Sequence, residues 1–349
     1  DPTHIIVSGA VLAGGALLVH VVLWIRARYA DPYLLPIAVA LNGLGLAMIH
    51  RIDLSTGQTA ANTQVVWTAV AMVTCCVVLW FLKDHRRLRN VTYTMLLLSV
   101  VLLLLPMVPG LGVEINGARL WISVAGRTFQ PGEIAKITLA IFFAGYLSMN
   151  RDLILLAGRK VGPVRLPRFK DIAPMLAAWL IAIGVLVLQK DMGTAIMFFG
   201  LFLAMLYLAT GRLGWIVLGL VLMLVGGFAA SRIFSHVSLR LDAWLSAFDP
   251  EVYTRSPGGS AQIVQGLFGL ASGGLFGQGL GQGRPDLVSY ANSDMIITAF
   301  GEELGLIGLS AILVMFLLFA SRGLRAALGT RDAFGKLLAG GLSALMVLQ

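Results

Sequence analysis

Acidic residues placed at the ends of apolar segments are the groups in this chain best suited to chemistry, and the chemistry they suit is acid–base. Asp294 opens one such segment, in SYANSDMIITAFGEELG. A carboxylate at the start of a membrane helix is a functional candidate, because placing it there is costly without a purpose. A plainer role fits as well, since Asn292, Ser293 or Asp294 would each cap a helix N-terminus. Ile297, Thr298, Gly301 and Gly305 follow on one mostly small face, which lets another helix or a lipid chain approach closely. Glu302 and Glu303, two turns deeper, suit a buried polar network as readily as a site. Asp191, in LQKDMGT, suits either a cap for the next helix or a direct role. In RLWISVAGRTFQPGEIAK, Pro131 fits the first helical position and Glu133 the first turn. Glu133 and Lys136 are spaced to pair at i, i+3. Arg119 has no evident local partner, and Trp121 beside it suits a membrane interface.

Several familiar chemistries are excluded. The glycine run GLASGGLFGQGLGQG has no Lys-Ser or Lys-Thr after it, so it is not a phosphate-binding P-loop. Gly279, Gly281 and Gly283 follow no strand pattern, which argues against a dinucleotide fingerprint. His4, His20, His50, His85 and His236 are scattered without metal-ligand spacing. No Gly-x-Ser-x-Gly elbow occurs.

The elements that hold these residues are membrane helices. Apolar residues make up 58% of 349 positions and charged ones 12%, against about 25% charged in a soluble domain. Apolar runs of about 17–25 residues recur, long enough to cross a hydrocarbon core. The expected spans are 5–25, 33–50, 64–82, 91–108, 132–149, 172–189, 193–211, 213–231, 293–320 and 335–349. The fold class is therefore an all-α, polytopic membrane bundle of about ten helices, taken as one domain over 1–349. The chain starts at Asp1 and stops at Gln349 inside an apolar run, and it reads as a fragment, truncated at its C-terminus. Cys75 and Cys76 are adjacent in one apolar run, which implies no disulfide framework.

The net charge of +9 comes from basic residues in short loops, a topology signal and not a nucleic-acid footprint. One set of alternate loops holds Arg26, Arg28, Lys83, Arg86, Arg87, Arg89, the cluster from Arg151 to Lys170, Arg212, Arg322, Arg325, Arg331 and Lys336. The other set holds only Arg51, Arg119, Arg127, Lys190, Arg232, Arg240, Arg255 and Arg284. The richer side is expected to be cytoplasmic. The segment 232–292 then faces outward, as do Asp294, Asp191 and Glu133. Within that segment Leu241, Trp244, Leu245 and Phe248 follow the spacing of a short interfacial helix at 239–248. Ile263, Leu267 and Leu270 mark a second amphipathic stretch. Leu and Phe interleave with seven glycines in 269–283, which predicts an ordered, close-packed turn region and not a solvated linker.

Four motifs in order, NGARLWI–FQPGEIAK, QKDMGTA, ASGGLFGQGLGQG and NSDMIITAFGEELGLIG, resemble the SEDS family of peptidoglycan polymerases, which includes RodA and FtsW. The resemblance spans roughly residues 115–310, with the helix spacing closer to RodA; a role in cell elongation or in division stays open. It implies a glycosyltransferase that polymerises lipid II at the outer leaflet of the bacterial cytoplasmic membrane and releases polyprenyl pyrophosphate. It also implies a class B penicillin-binding protein as partner. Position by position, Asp294 matches the family's essential aspartate. Arg119, Glu133, Lys136 and Asp191 match its other motifs and, with Arg240 and Gln265, form the expected substrate-binding set. Inversion at the anomeric carbon suits direct displacement with one general base. Arg119, Lys136 or Arg240 would stabilise the leaving pyrophosphate, and a divalent metal could share that task. The family's PExHTDF is SYANSDM here, its QPDLG is QKDMG, and its TGxPLPFxSYGG stretch lies past Gln349. One helix, near 5–25, precedes the family's usual first one. The rival readings are a lipid II transporter, which would place charges in both leaflets, and a scaffold of the cell-wall machinery.

Overall fold

The computed structural model describes residues 2–115, 118–124, 126–156, 159–161, 164–166, 169–256 and 258–349, with side chains outside 1–4, 124 and 151–172. The basic side chains from Arg151 to Lys170, which weigh in the orientation, lie outside the described side chains. The chain divides into two compact units, Asp1–Lys83 with Met223–Phe319 and Asp84–Leu222 with Ala320–Gln349.

The first unit contains α1 (Pro2–Arg26), α2 (Leu34–Thr56) and α3 (Ala60–Phe81). Small residues let these helices pack closely: a Cβ at Gly15 would overlap the Met72 side chain. Polar side chains fix the pairing. Thr68 Oγ1 donates to Asn42 Oδ1 at 3.1 Å, and the buried Asp53 accepts from the Ala61 amide at 2.7 Å, tying the start of α3 to α2. At the opposite end the Arg26 guanidinium lies 4.2 Å from the Trp80 ring centre. A compact core joins α2 to the later part of this unit through Met48, Ile52, Val288, Ala291, Ala299, Phe300 and Ile312.

The second unit contains α4 (Thr92–Leu104), α5 (Pro131–Leu156), α6 (Phe169–Leu188), α7 (Met192–Thr210) and α13 (Ala333–Leu348). From Thr138 to Leu147 its α5 is buried on every face among its neighbours, as a central bundle helix must be. Phe142, Phe143, Leu139, Leu147, Phe198, Leu201, Met205 and Phe334 fill the core. α8 (Gly214–Ile233) and α12 (Ile296–Gly329) each run across a unit boundary.

All ten predicted helical segments are present. Among the described residues eight helices are long and apolar enough to cross a membrane, and shorter apolar helices span Ala173–Leu188 and Ala333–Leu348. On α1, α3 and α8 most large apolar side chains remain exposed, including Leu17, Val73, Phe81, Leu224 and Phe228. An apolar surface of that extent requires lipid around it. Cys75 and Cys76 are both free.

The helical expectation omitted two small sheets. β1 (Gly112–Ile115), β2 (Ala118–Val124) and β3 (Arg127–Phe129) form an antiparallel meander between α4 and α5. β4 (Arg159–Val161) and β5 (Val164–Leu166) form a hairpin between α5 and α6. The meander has a physical basis in alternation, with Ile122 turned inward and Ser123 outward. α9 (Ser235–Leu245) and α11 (Ala261–Gly273) are the two amphipathic helices expected in the long segment, with the short α10 (Pro250–Tyr253) between them. α9 begins and ends earlier than 239–248, so Phe248 lies past its C-terminus, in ring contact with Phe268 at 6.5 Å.

Candidate active site

The first unit is organised around a break in α12. Gly305 has φ 69° and ψ −175°, which divides the helix after Leu304. A regular helix would pair the amides of Leu306 and Ile307 with the carbonyls of Glu302 and Glu303. All four groups instead bond to the glycine-rich segment. The Leu306 amide donates to Gly274 O at 2.9 Å and the Ile307 amide to Leu275 O at 3.2 Å. In return the Gln278 amide donates to Glu302 O at 2.9 Å and the Gly279 amide to Glu303 O at 3.0 Å. The segment enters the helix as a strand enters a sheet. In a membrane such a break persists only when its backbone groups are satisfied again, since each orphan costs several kcal/mol.

Glycine is required for this insertion. A Cβ on Gly277 would overlap the Glu303 carbonyl, and one on Gly273 the Gly301 carbonyl; Gly277, Gly279 and Gly281 also have positive φ. The two glutamates complete the joint. Glu302 Oε1 accepts from the Arg284 amide at 2.8 Å, and Glu303 Oε2 from the Gly281 amide at 3.0 Å. Arg51, from α2, donates through Nη2 to the carbonyls of Gly281 at 3.1 Å and Gly283 at 3.0 Å. Its Nε lies 3.2 Å from Glu303 Oε1, an ionic contact and not an aligned hydrogen bond. Of the two readings open for Glu302 and Glu303, the structure shows the buried network.

Asp294 lies just ahead of this helix. Residues 290–295 form a turn closed by the Met295 amide on Tyr290 O at 3.0 Å, with Tyr290 at φ 60°, and α12 begins at Ile296. None of the three candidate caps acts as one. Asn292 Nδ2 donates to Gln58 Oε1 at 2.8 Å, and Ser293 turns back to Tyr290 O. Asp294 is exposed, with no polar partner among the described residues. α11 packs beside this turn, for a Cβ on Gly266 would overlap the Met295 methyl. Its Gln265 accepts from Ser289 Oγ at 3.4 Å and lines a cavity of about 270 Å³ with Phe268, Ser272, Arg284, Val288 and Glu302. Arg284 grips Asp286 through Nε at 3.1 Å and Nη2 at 3.1 Å. That hydrogen-bonded fork holds the Asp286 carboxyl below its ordinary range and raises Arg284. Arg240, on α9, is exposed and without a polar partner among the described residues.

The second unit holds the other candidates. Lys136 is almost fully buried and pairs with the half-exposed Glu133 at 2.7 Å, the expected i, i+3 contact. Asp191 is the N-cap of α7, where Oδ1 accepts from the Thr194 amide at 3.0 Å. The expectation that Arg119 lacks a local partner is corrected. Glu114, on β1, binds its Nε at 3.0 Å across the hairpin, a neighbour hidden until the strands pair. Arg119 and Lys190 line a second cavity, of about 190 Å³, with Met107, Glu114, Leu188 and Gln189. Lys190 sits at φ 61°, an uncommon conformation for a side chain of its kind.

The structure therefore brings Glu133 to Lys136, and Arg119 to Lys190 beside Asp191, and sets Gln265 close to the turn that carries Asp294. Sequence reasoning missed Arg51, Gln58 and Arg284 as members of the first group. The partners of Arg51 and Gln58 lie more than 200 residues away, and Arg284 joins the group through its backbone amide on Glu302. Gly305 inside an apolar helix, taken with the seven glycines, was the available signal. Among the described residues no group of three His, Cys, Asp or Glu side chains could hold a metal ion.

The fold and these groups define a polytopic membrane protein with a polar site at the end of a broken helix. Residues 32–349 match the family model of the FtsW/RodA/SpoVE cell cycle proteins, and the chain belongs to that family. It is 47% identical over 331 residues to the peptidoglycan glycosyltransferase RodA of Mycobacterium tuberculosis (strain ATCC 25618 / H37Rv), covering 93% of this chain and 69% of that protein. It is 30% identical over 333 residues to a probable peptidoglycan glycosyltransferase FtsW of Trichlorobacter lovleyi, covering 91% and 81%. A structure solved for "structural coordination of polymerization and crosslinking by a peptidoglycan synthase complex" has the same fold, with TM-score 0.58 and 22% identity over 99% of this chain and 83% of that one.

Proposed function

We propose that this membrane glycosyltransferase extends peptidoglycan strands from lipid II, with Asp294 as the general base. The observation that carries the assignment is the exposed carboxylate of Asp294, without a polar partner among the described residues, on a turn ahead of a pinned helix. The acceptor sugar's 4-hydroxyl oxygen attacks the anomeric carbon of the donor, and its proton passes to Asp294 as the new bond forms. The donor's bond to pyrophosphate breaks on the opposite face, which inverts the centre and releases polyprenyl pyrophosphate.

The leaving group gains negative charge and needs a cation. Arg240 suits that task best, because Arg119 and Lys136 already hold carboxylates. Gln265, beside the 270 Å³ cavity, suits the binding of sugar or peptide hydroxyls and amides. Arg119, Glu133, Lys136 and Asp191 belong to the substrate-binding set by family resemblance. α9 presents Leu241, Trp244 and Leu245 to the surroundings, a face suited to the lipid interface that holds the polyprenyl chains. The excess of basic loops on one side supports an outward-facing site in the bacterial cytoplasmic membrane. A class B penicillin-binding protein is the proposed partner, supported by the similar fold solved in work on a synthase complex.

The test is lipid II polymerisation by the purified chain, with and without the partner. Asp294→Asn should lower the rate by about 10²–10⁴-fold, the usual contribution of a general base. Polymer made by the Asn variant at the wild-type rate would remove Asp294 from the mechanism. Lipid II translocation by the wild type without polymer would favour a transporter.

A further inference from the structure

We infer that Arg51 is a positioning residue for Asp294, acting through the glycine segment inserted into α12; this rests on the general-base reading of Asp294 given above. Three segments of the first unit meet at its guanidinium: the end of α2, the inserted loop at Gly281 and Gly283, and Glu303 on α12. Glu303 is only 1% exposed, and its described polar contacts are Arg51 and the Gly281 amide. Without the guanidinium a buried carboxylate keeps one hydrogen bond and no countercharge. It regains hydration by opening the loop to water.

Opening the loop has a defined effect on α12. The carbonyls of Glu302 and Glu303 lose the amides of Gln278 and Gly279, and the amides of Leu306 and Ile307 lose Gly274 and Leu275. Those four bonds span the break at Gly305. Once they are gone, the half-helix from Ile296 to Leu304 is held to the rest of α12 by one glycine with free dihedrals. Asp294 stands at the far end of that half-helix, on the order of 16 Å from the pivot. A tilt of about 10° there moves it by roughly 3 Å, and a misplacement of 1 Å already costs about 10² in rate. The latch thus acts on catalysis and not on substrate affinity.

The geometry also sets what can replace Arg51. Two carbonyls and a carboxylate need a planar fork with several donors, and a lysine ammonium cannot span all three. Arg51→Lys should restore the charge beside Glu303 and only part of the loop's order.

The experiment uses the full chain in lipid nanodiscs, with hydrogen exchange and steady-state kinetics on lipid II measured for the same preparations. In Arg51→Gln, exchange at the amides of Gln278, Gly279 and Gly281 should quicken by tenfold or more. Its kcat should fall about 10- to 100-fold while KM stays within about threefold, and Arg51→Lys should lie between. Gly277→Ala, which drives the loop from the break by overlap with the Glu303 carbonyl, should give the same split without touching Arg51. Unchanged exchange in Arg51→Gln overturns the latch. Faster exchange with kcat within twofold of wild type overturns its positioning role. If Asp294→Asn polymerises normally, the general-base reading fails instead, and the exchange data still decide whether the latch exists.

Discussion

Removing the carboxylate of Glu133 should harm the fold more than removing the ammonium of Lys136. The two atoms lie 2.7 Å apart, with Lys136 4% exposed and Glu133 47% exposed. At an effective dielectric near 20 their attraction is about 6 kcal/mol, most of it offset by the desolvation of Lys136. Glu133→Gln leaves that desolvation uncompensated. Breaking a buried pair this way costs about 3–5 kcal/mol, and the half-exposed carboxylate brings the expectation down to about 2–3 kcal/mol. Lys136→Met removes the buried charge itself, and Glu133 turns to water, so the cost is under about 1 kcal/mol. Glu133→Gln/Lys136→Met should then behave like Lys136→Met alone. Thermal unfolding of the full chain in detergent reads the order, with Glu133→Gln melting about 3–4 °C below wild type. Both single variants lose polymerisation if the pair touches substrate, so only the melting order tests the electrostatics. Glu133→Gln melting with wild type, while Lys136→Met falls, would refute it.

Asp191 should separate into two roles by substitution. Asp191→Ala loses the bond to the Thr194 amide and about 1 kcal/mol, while Asp191→Asn keeps the cap; loss of polymerisation in the Asn variant at unchanged stability marks a role beyond capping. Asp286 should make a small, pH-dependent contribution. Its carboxyl is held below its ordinary value of 3.8 by the bond from Arg284, so the contribution is complete above that value and is lost as pH falls through the lowered one. The melting difference between wild type and Asp286→Asn should therefore be constant near neutrality and shrink as the medium becomes more acidic than that lowered value; a difference that grows on acidification would contradict the assignment.

Much of the fold is legible because hydropathy at membrane length overrides weaker signals. Each of the ten helical segments follows from an apolar run, and Pro131 begins α5 as its ring geometry requires. The meander from Gly112 to Phe129 is not legible that way. Its strands are short, and their pairing of Arg119 with Glu114 depends on a turn that sequence spacing does not announce. Around α12 the sequence shows glycine enrichment and a paired Glu302 and Glu303, yet not that one fills the needs of the other. That relation is between backbone atoms, on which side-chain identity bears only by being absent.

Asp191 and Asp294 stand at comparable places in sequence, each ahead of an apolar helix, and the fold uses them differently. Asp191 follows Lys190 in a left-handed conformation, a turn that aims its carboxylate at the Thr194 amide. Before Asp294 the left-handed residue is Tyr290, and the amides of Met295 and Ile296 are taken by the carbonyls of Tyr290 and Ser293. The helix start is thus closed by backbone, and the carboxylate is exposed with nothing to cap. What it adds to stability is at most the dipole interaction of an exposed acid near a helix N-terminus, about 0.3–1 kcal/mol. Asp294→Asn should accordingly leave melting almost unchanged, and a large loss of polymerisation from so small a structural change can only come from the chemistry at that carboxylate.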